Sequence, residues 1–447
     1  MKRITREYIN GLAIIMAFLS LFITWSANAQ TSPPVIDWQK CFGGSNLDEA
    51  FAVVQTTDGG YVLAGKSNSS DSGMVTNDNL NNNFWIIKLN SSGTLQWQKN
   101  IGGGGDDKAY SIKQTTDGGY IVVGSSESSD GDVTNNNGKT DFWIVKLDSN
   151  GAVQWQESFG GSNDERANSV QQTADGGYIV AGYTSSSDGD VTSNLGQCDC
   201  WIIKLDNTGA LVWQKTIGGT GNDMTYSIQQ TSDGGYIMAG CSSSNNGDVS
   251  GNHGFIDFWV VKLTSTGSIT WQKSLGGSEN ELAYAVQQTS DGGYIVCGYT
   301  FSNDGNVSGK NTDVTSPDTW IVKLNSTGSI VWQKCFGGTS ADIATTVQQT
   351  SDGGYIMAGS SASTDAPVTG NHGAADYWLV KLNSSGTLQW QKSLGGSNDD
   401  VATSIKETSD GGFIVIGSSS STDGDVTGNH GAYDIWVVKL VYPGAGL

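Results

Sequence analysis

Basic residues are scarce in this chain, with 23 Lys and Arg against 44 Asp and Glu and a formal net charge of −21. That balance repels polyanions, so nucleic-acid partners are excluded. It suits a solvated surface, or one that collects cations. The helix formers Glu, Lys and Ala are sparse, whereas Gly, Ser, Thr, Asn and Asp abound. Such a composition belongs to an all-β chain with many turns. Past residue 25 no apolar run approaches the roughly 20 residues of a membrane-spanning helix. No G-x-S-x-G, H-E-x-x-H or phosphate-binding loop occurs, which removes the commonest nucleophile, zinc-protease and nucleotide signatures. The six cysteines include no C-x-x-C pair and stand at scattered β positions. They read as substitutions, and not as zinc ligands or a disulfide framework.

The first 29 residues read as a signal peptide. Lys2, Arg3 and Arg6 form a basic start, Gly11 to Trp25 an apolar stretch, and Ala27-Asn28-Ala29 a small-x-small cleavage site before Gln30. Secretion is therefore expected, to the extracellular space, the cell surface or the periplasm. Residues 30–447 are read as one domain.

What is abundant is repetition. The stretch Asp141 to Gln156 holds two β-rich runs around Ser149-Asn150-Gly151 and reads as a hairpin with Gly151 left-handed. That register sets Leu147 opposite Val153 and Val145 opposite Trp155, which predicts one wholly apolar face. Trp155 recurs as Trp38, Trp97, Trp213, Trp271, Trp332 and Trp390, at spacings of 59, 58, 58, 58, 61 and 58 residues. A fixed period of this size means a solenoid, a propeller or an array. Each unit has four strand candidates, which in the third are 167–173, 178–182, 200–205 and 210–215. An Asp-Gly-Gly turn, such as Asp175-Gly176-Gly177, joins the first two. Four antiparallel strands per unit make a propeller blade.

The chain ends choose the closed ring. The last unit lacks a fourth strand, and the chain opens with an orphan fourth strand at 35–40 carrying Trp38. Pairing 35–40 beside 435–440 closes a seven-bladed β-propeller, whereas an open solenoid would need polar caps. Closure also removes exposed sheet edges, and the protein is read as a monomer. Turns between strands one and two, and between three and four, are short and share one face of the disc. The longer loops lie on the other face, where binding and catalysis usually reside.

These units resemble the bacterial β-propeller repeats of the SBBP type and, more loosely, the delta-sixty type. The matching residues are FWIVKL-DSNG-AVQWQ-ESFGGS-NDERA at 142–167 and DGGYIVAG at 175–182. The resemblance covers about residues 35–440. It implies the propeller fold and a secreted or cell-surface bacterial protein, and it implies no reaction.

Two acidic elements are the candidate sites. An acid precedes the inner strand of every blade: Asp48, Asp107, Glu165, Asp223, Glu281, Asp342 and Asp400. In a closed ring these could surround one mouth of the central channel. The simpler account is that each accepts backbone N–H bonds in its own Gly-rich loop. The long loop between strands two and three carries Asp130/Asp132, Asp188/Asp190 and Asp423/Asp425, broken at Ser72-Gly73-Met74 and Ala366-Pro367. Hard oxygens at alternate positions suit weak extracellular Ca²⁺ binding, the one cofactor suggested, although Asx-turns explain the same residues. The three histidines, in Asn-His-Gly at 253, 372 and 430, occupy blades four, six and seven, too dispersed for a shared metal. The function expected is a secreted, non-enzymatic binding or adhesion scaffold for an extracellular protein or glycan. The alternatives are a polysaccharide hydrolase or lyase on the long-loop face, and a structural or Ca²⁺-binding surface protein.

Overall fold

A computed structural model describes residues 32–70, 81–311 and 315–443. Residues 1–29, read above as a signal peptide, and Ser72-Gly73-Met74 lie outside the described residues. Seven four-stranded antiparallel sheets make a seven-bladed β-propeller. The third blade has strands Glu165–Gln172, Tyr178–Thr184, Asp199–Leu205 and Leu211–Ile217, ordered from channel to rim. Strands two and three are buried along their length because neighbouring blades cover both faces. Strand four alternates toward solvent at the rim.

The ring closes as the chain ends predict. Val35–Phe42 forms the outer strand of the seventh blade and pairs antiparallel with Asp434–Val441, Val35 opposite Val441 and Phe42 opposite Ile435. Closure extends beyond this ladder. The last residue of each inner strand, Gln in six blades and Glu407 in the seventh, accepts an amide from the preceding blade's turn, as in Thr116 N–H to Gln172 Oε1 at 2.9 Å. The same bond crosses the seam from Ser409 N–H to Gln55 Oε1 at 2.9 Å.

The apolar cores lie between blades. Ile121, Val123, Phe142 and Ile144 of blade two pack on Ala167, Val170, Tyr178, Trp201 and Ile203 of blade three. The strand-three tryptophan seals each contact: Trp201 meets Phe142 at 4.6 Å, and its indole N–H donates to Gln214 at 2.9 Å. The strand-four tryptophan is half-buried beneath the next blade's hairpin. Gly151, at φ 80°, leaves no room for a Cβ, which would fall 2.8 Å from the Trp97 ring.

The hairpin register differs from the expected one. Leu147 faces Val153, but a bulge sets Lys146, not Val145, opposite Trp155, and Val145 opposite Gln156. Neither face is therefore wholly apolar. At the bulge the buried Lys146 ammonium donates to Asp117 (2.9 Å), the Leu147 carbonyl (3.0 Å) and Gln154, the extra residue (3.1 Å). All seven blades repeat this lysine–aspartate pair, using the Asp of the Asp-Gly-Gly turn.

Removing residues 30–42 should open the ring. The lost burial of Phe42 and Trp38 is worth roughly 3 kcal/mol or more. The expected outcome is a lower Tm, with amide exchange rising first in Asp434–Val441. Unchanged cooperative unfolding would refute closure as the source of stability.

Candidate functional site

The seven acids that precede the inner strands have no accessible surface. Asp48 accepts the Gly44 amide (2.7 Å), the Ser69 hydroxyl (2.8 Å) and the Ser67 hydroxyl. Glu165 does the same with the Gly161 amide and the Thr184 hydroxyl, both at 2.7 Å. These carboxylates tie the incoming loop to the end of strand two, inside the blade wall and not at the channel mouth. The alternation of an inner strand explains the placement: its first and third residues point into the blade, its second and fourth into the channel.

The long-loop aspartates tie their loop to the connection from the preceding blade. Asp188 accepts the Ser162 amide (2.8 Å), while Asp190 accepts the Gly160 amide (3.1 Å) and the Asn137 side chain (3.1 Å). Asp130 and Asp132 hold Gly104 and Gly102, and Asp423 and Asp425 hold Ser397 and Gly395. Asp365, hidden in the sequence by the divergent Ala366-Pro367, plays the Asp188 part on Thr339 at 2.8 Å. Ca²⁺ takes about six to eight oxygens; aspartates each committed to a separate amide do not assemble such a cage. Among the described residues no three His, Cys, Asp or Glu side chains are grouped to hold a metal ion.

A third acidic layer lies at the blade junctions. The first residue of strand three is Asp in six blades and Asn83 in the first, all buried. Each stands beside the next blade's inner-strand acid, across a glycine with no space for a Cβ: Gly160 lies between Asp141 and Glu165, Gly218 between Asp199 and Asp223. Burial first, then the neighbouring carboxylate, pushes Asp141 up to about 7 and Asp199 up to about 6. The histidines belong here. His253, His372 and His430 each bond the strand-three aspartate of their own blade at 2.7 Å. Their shared four-residue spacing from Asp257, Asp376 and Asp434 was the available signal.

The channel wall departs from seven-fold repetition. The second residue of the inner strand is Glu49, Lys108 and Arg166 in blades one to three. It is apolar in the rest, as Met224, Leu282, Ile343 and Val401. Glu49 pairs with Lys66 at 2.7 Å and Lys108 with Asp106 at 3.2 Å. The Arg166 guanidinium lies 3.7 Å from the centre of the Tyr110 ring, a cation–π contact. Its Nε–H is buried and has no hydrogen-bond partner among the described residues. Around it, on the long-loop face of blades two to four, a polar recess of about 560 Å³ is bounded by Lys108, Glu127, Asp164, Arg166, Tyr183 and Asn222. Tyr226, Tyr284, Tyr299 and Phe301 form a chain of ring contacts 5.3 to 5.9 Å apart on the apolar side.

No family model matches this chain. It is similar to the regulatory protein FlaEY of Caulobacter vibrioides, 26% identical over 229 residues, which is 48% of this chain and 24% of that protein. The chain thus spans about a quarter of that relative's length. Among solved structures it is similar to the Pan2 WD40 domain of Neurospora crassa, with 12% identity, a TM-score of 0.45 and coverage of 87% of this chain and 88% of that one. It is also similar to BamB of Moraxella catarrhalis, with 16% identity, a TM-score of 0.37 and coverage of 91% and 88%. These likenesses are too distant to bring a function with them. No helix among the described residues is long and apolar enough to cross a membrane.

The two sets of carboxylates give opposite pH dependences. Asp141 and Asp199 have folded-state values above the ordinary one, so their contribution is full below about pH 4 and is lost as pH rises to about 7. Hydrogen bonds from Lys88 and Thr56 hold Asp58 down to about 2 against some desolvation, and Asp117, Asp233 and Asp291 behave alike. Their contribution is present above about pH 4 and lost toward pH 2, though solvent screening at these exposed turns weakens it. Tm should therefore peak near about pH 4 to 5. Asp141→Asn/Asp199→Asn should flatten the decline from pH 5 to 7, as Asn83 already occupies that place in blade one. An unchanged slope in thermal melts would refute the assignment.

Proposed function

We propose that this protein is a secreted, non-enzymatic binding scaffold that engages an extracellular glycan at the long-loop mouth of its channel. The fold itself, a β-propeller, is consistent with a binding scaffold. One observation carries the proposal: the repetition breaks at the mouth, where Lys108, Arg166, Glu127 and Asp164 give blades two to four a polar recess. A recess of about 560 Å³ falls within the size range of small-ligand sites, and its mixed charges suit hydroxyl-rich or zwitterionic groups. The signal-peptide pattern and the SBBP-type resemblance support an extracellular bacterial location, where surface polysaccharide would be met.

The test is a panel of defined glycans and cell-envelope polysaccharides on the immobilised mature chain, with product analysis run alongside. Binding should fall about tenfold or more in Arg166→Ala, through loss of a charged donor. Tm should fall only slightly, since the Arg166–Tyr110 contact is worth about 0.5–1 kcal/mol. Binding indifferent to Arg166 and Lys108 would overturn the reading, as would turnover of any glycan. Capture of a protein in place of glycan would redirect it.

A further inference from the structure

Below the mouth, toward the short-turn face, one layer of the channel offers donors alone. The seventh residue of the inner strand supplies it: Val54, Lys113, Gln171, Gln229, Gln287, Gln348 and Lys406 in blades one to seven. The orientation of the four amides is fixed by their neighbours. Gln171 Oε1 accepts the Gln230 amide (2.6 Å), Gln229 the Gln288 amide (2.7 Å), Gln287 the Gln349 amide (2.6 Å) and Gln348 the Glu407 amide (3.3 Å). With each carbonyl oxygen engaged by the wall, the NH₂ groups are left to serve the channel. In blades seven, one and two the side chains cannot accept. The corresponding amides of Gln55, Gln114 and Gln172 thus sit beside Lys406, Val54 and Lys113.

The two lysines flank this arc and line a cavity of about 240 Å³. Seven lysines of strand three are paired with turn aspartates. Lys113 and Lys406 have no ion-pair partner among the described residues. The acid next to Lys406, Glu407, is held by the Ser351 amide (2.8 Å) and hydroxyl (2.7 Å). The other titratable groups of the cavity are Tyr110, Tyr226 and Tyr284. Lys113 and Lys406 line one cavity and act on each other electrostatically, and two like charges beside an arc of amide donors need a counter-charge.

We propose that the channel binds a small oxyanion, of phosphate or carboxylate type, between Lys113 and Lys406. The site is distinct from the recess at the long-loop mouth and stands whether or not that recess binds glycan. Burial first, then Lys406, pushes the Lys113 ammonium down to about 7. A bound anion would restore its ordinary value, so binding near that pH takes up a proton.

The experiment is calorimetric titration of the mature protein with inorganic phosphate and separately with malonate, against chloride at matched ionic strength. Binding with a stoichiometry of one is expected, with heat that changes with buffer ionisation enthalpy because protons are taken up. The two arms tell phosphate from carboxylate. Lys113→Met/Lys406→Met should weaken binding about tenfold or more, while the exposed Lys139→Met leaves it unchanged. In chloride alone Lys113→Met should raise Tm, since it removes a repulsion. No heat beyond chloride, or equal heat in the double variant, would overturn the proposal. Should the double variant fail to fold, absence of proton uptake by the unmodified protein would also overturn it.

Discussion

The structure depends on a single eight-residue strand, Val35–Phe42, placed next to a strand that lies nearly four hundred residues further along the chain. Each blade is a thin sheet whose cores are shared with its neighbours, so no blade completes its burial alone. A ring converts that dependence into mutual support, because every wedge then has two neighbours. The seam is built like the other junctions. Trp436 donates its indole N–H to Gln39, as Trp201 does to Gln214, and Thr403 reaches the Ala50 carbonyl at 2.7 Å, as Thr345 reaches that of Ala402.

Charge is distributed unequally between the faces of the disc. At the short-turn end each buried lysine meets an aspartate and the carbonyl of the next residue, and Lys88, Lys146, Lys381 and Lys439 meet a third acceptor, as burying an ammonium requires. At the long-loop end carboxylate stands beside carboxylate across a glycine, and in blades four, six and seven a histidine bonds the strand-three aspartate. The channel connects the two regimes, with an arginine over a tyrosine at one end and two lysines among amides at the other.

Much of the fold was legible because repetition exposes it. The tryptophan period gave blade number, and a surplus strand matched to a missing one gave closure. The bulge at Lys146 was not legible, because one unpaired residue shifts the facing pairs while leaving local β propensity unchanged. The hydrogen-bonding role of the repeated acids was legible in their Gly-rich loops, whereas the channel-facing positions drew no attention. Residues identical in all blades, such as the strand-one acids and the turn aspartates, serve the wall that every blade needs. The positions that differ, Lys108 and Arg166 against Met224 and Leu282, are the ones facing the channel. Their parity along the strand was visible in the alternation, but repetition drew attention to the acids instead.

The pairing of Val35 with Val441 also places the two ends of the domain side by side on one sheet. A short peptide could join them without disturbing any blade, and new ends could be opened at an exposed hairpin turn such as that of Gly209 or Gly328. The strand now split between the ends would then be continuous with its blade. The seam is therefore a matter of where the chain is cut, and the ring as a folded object has no privileged blade.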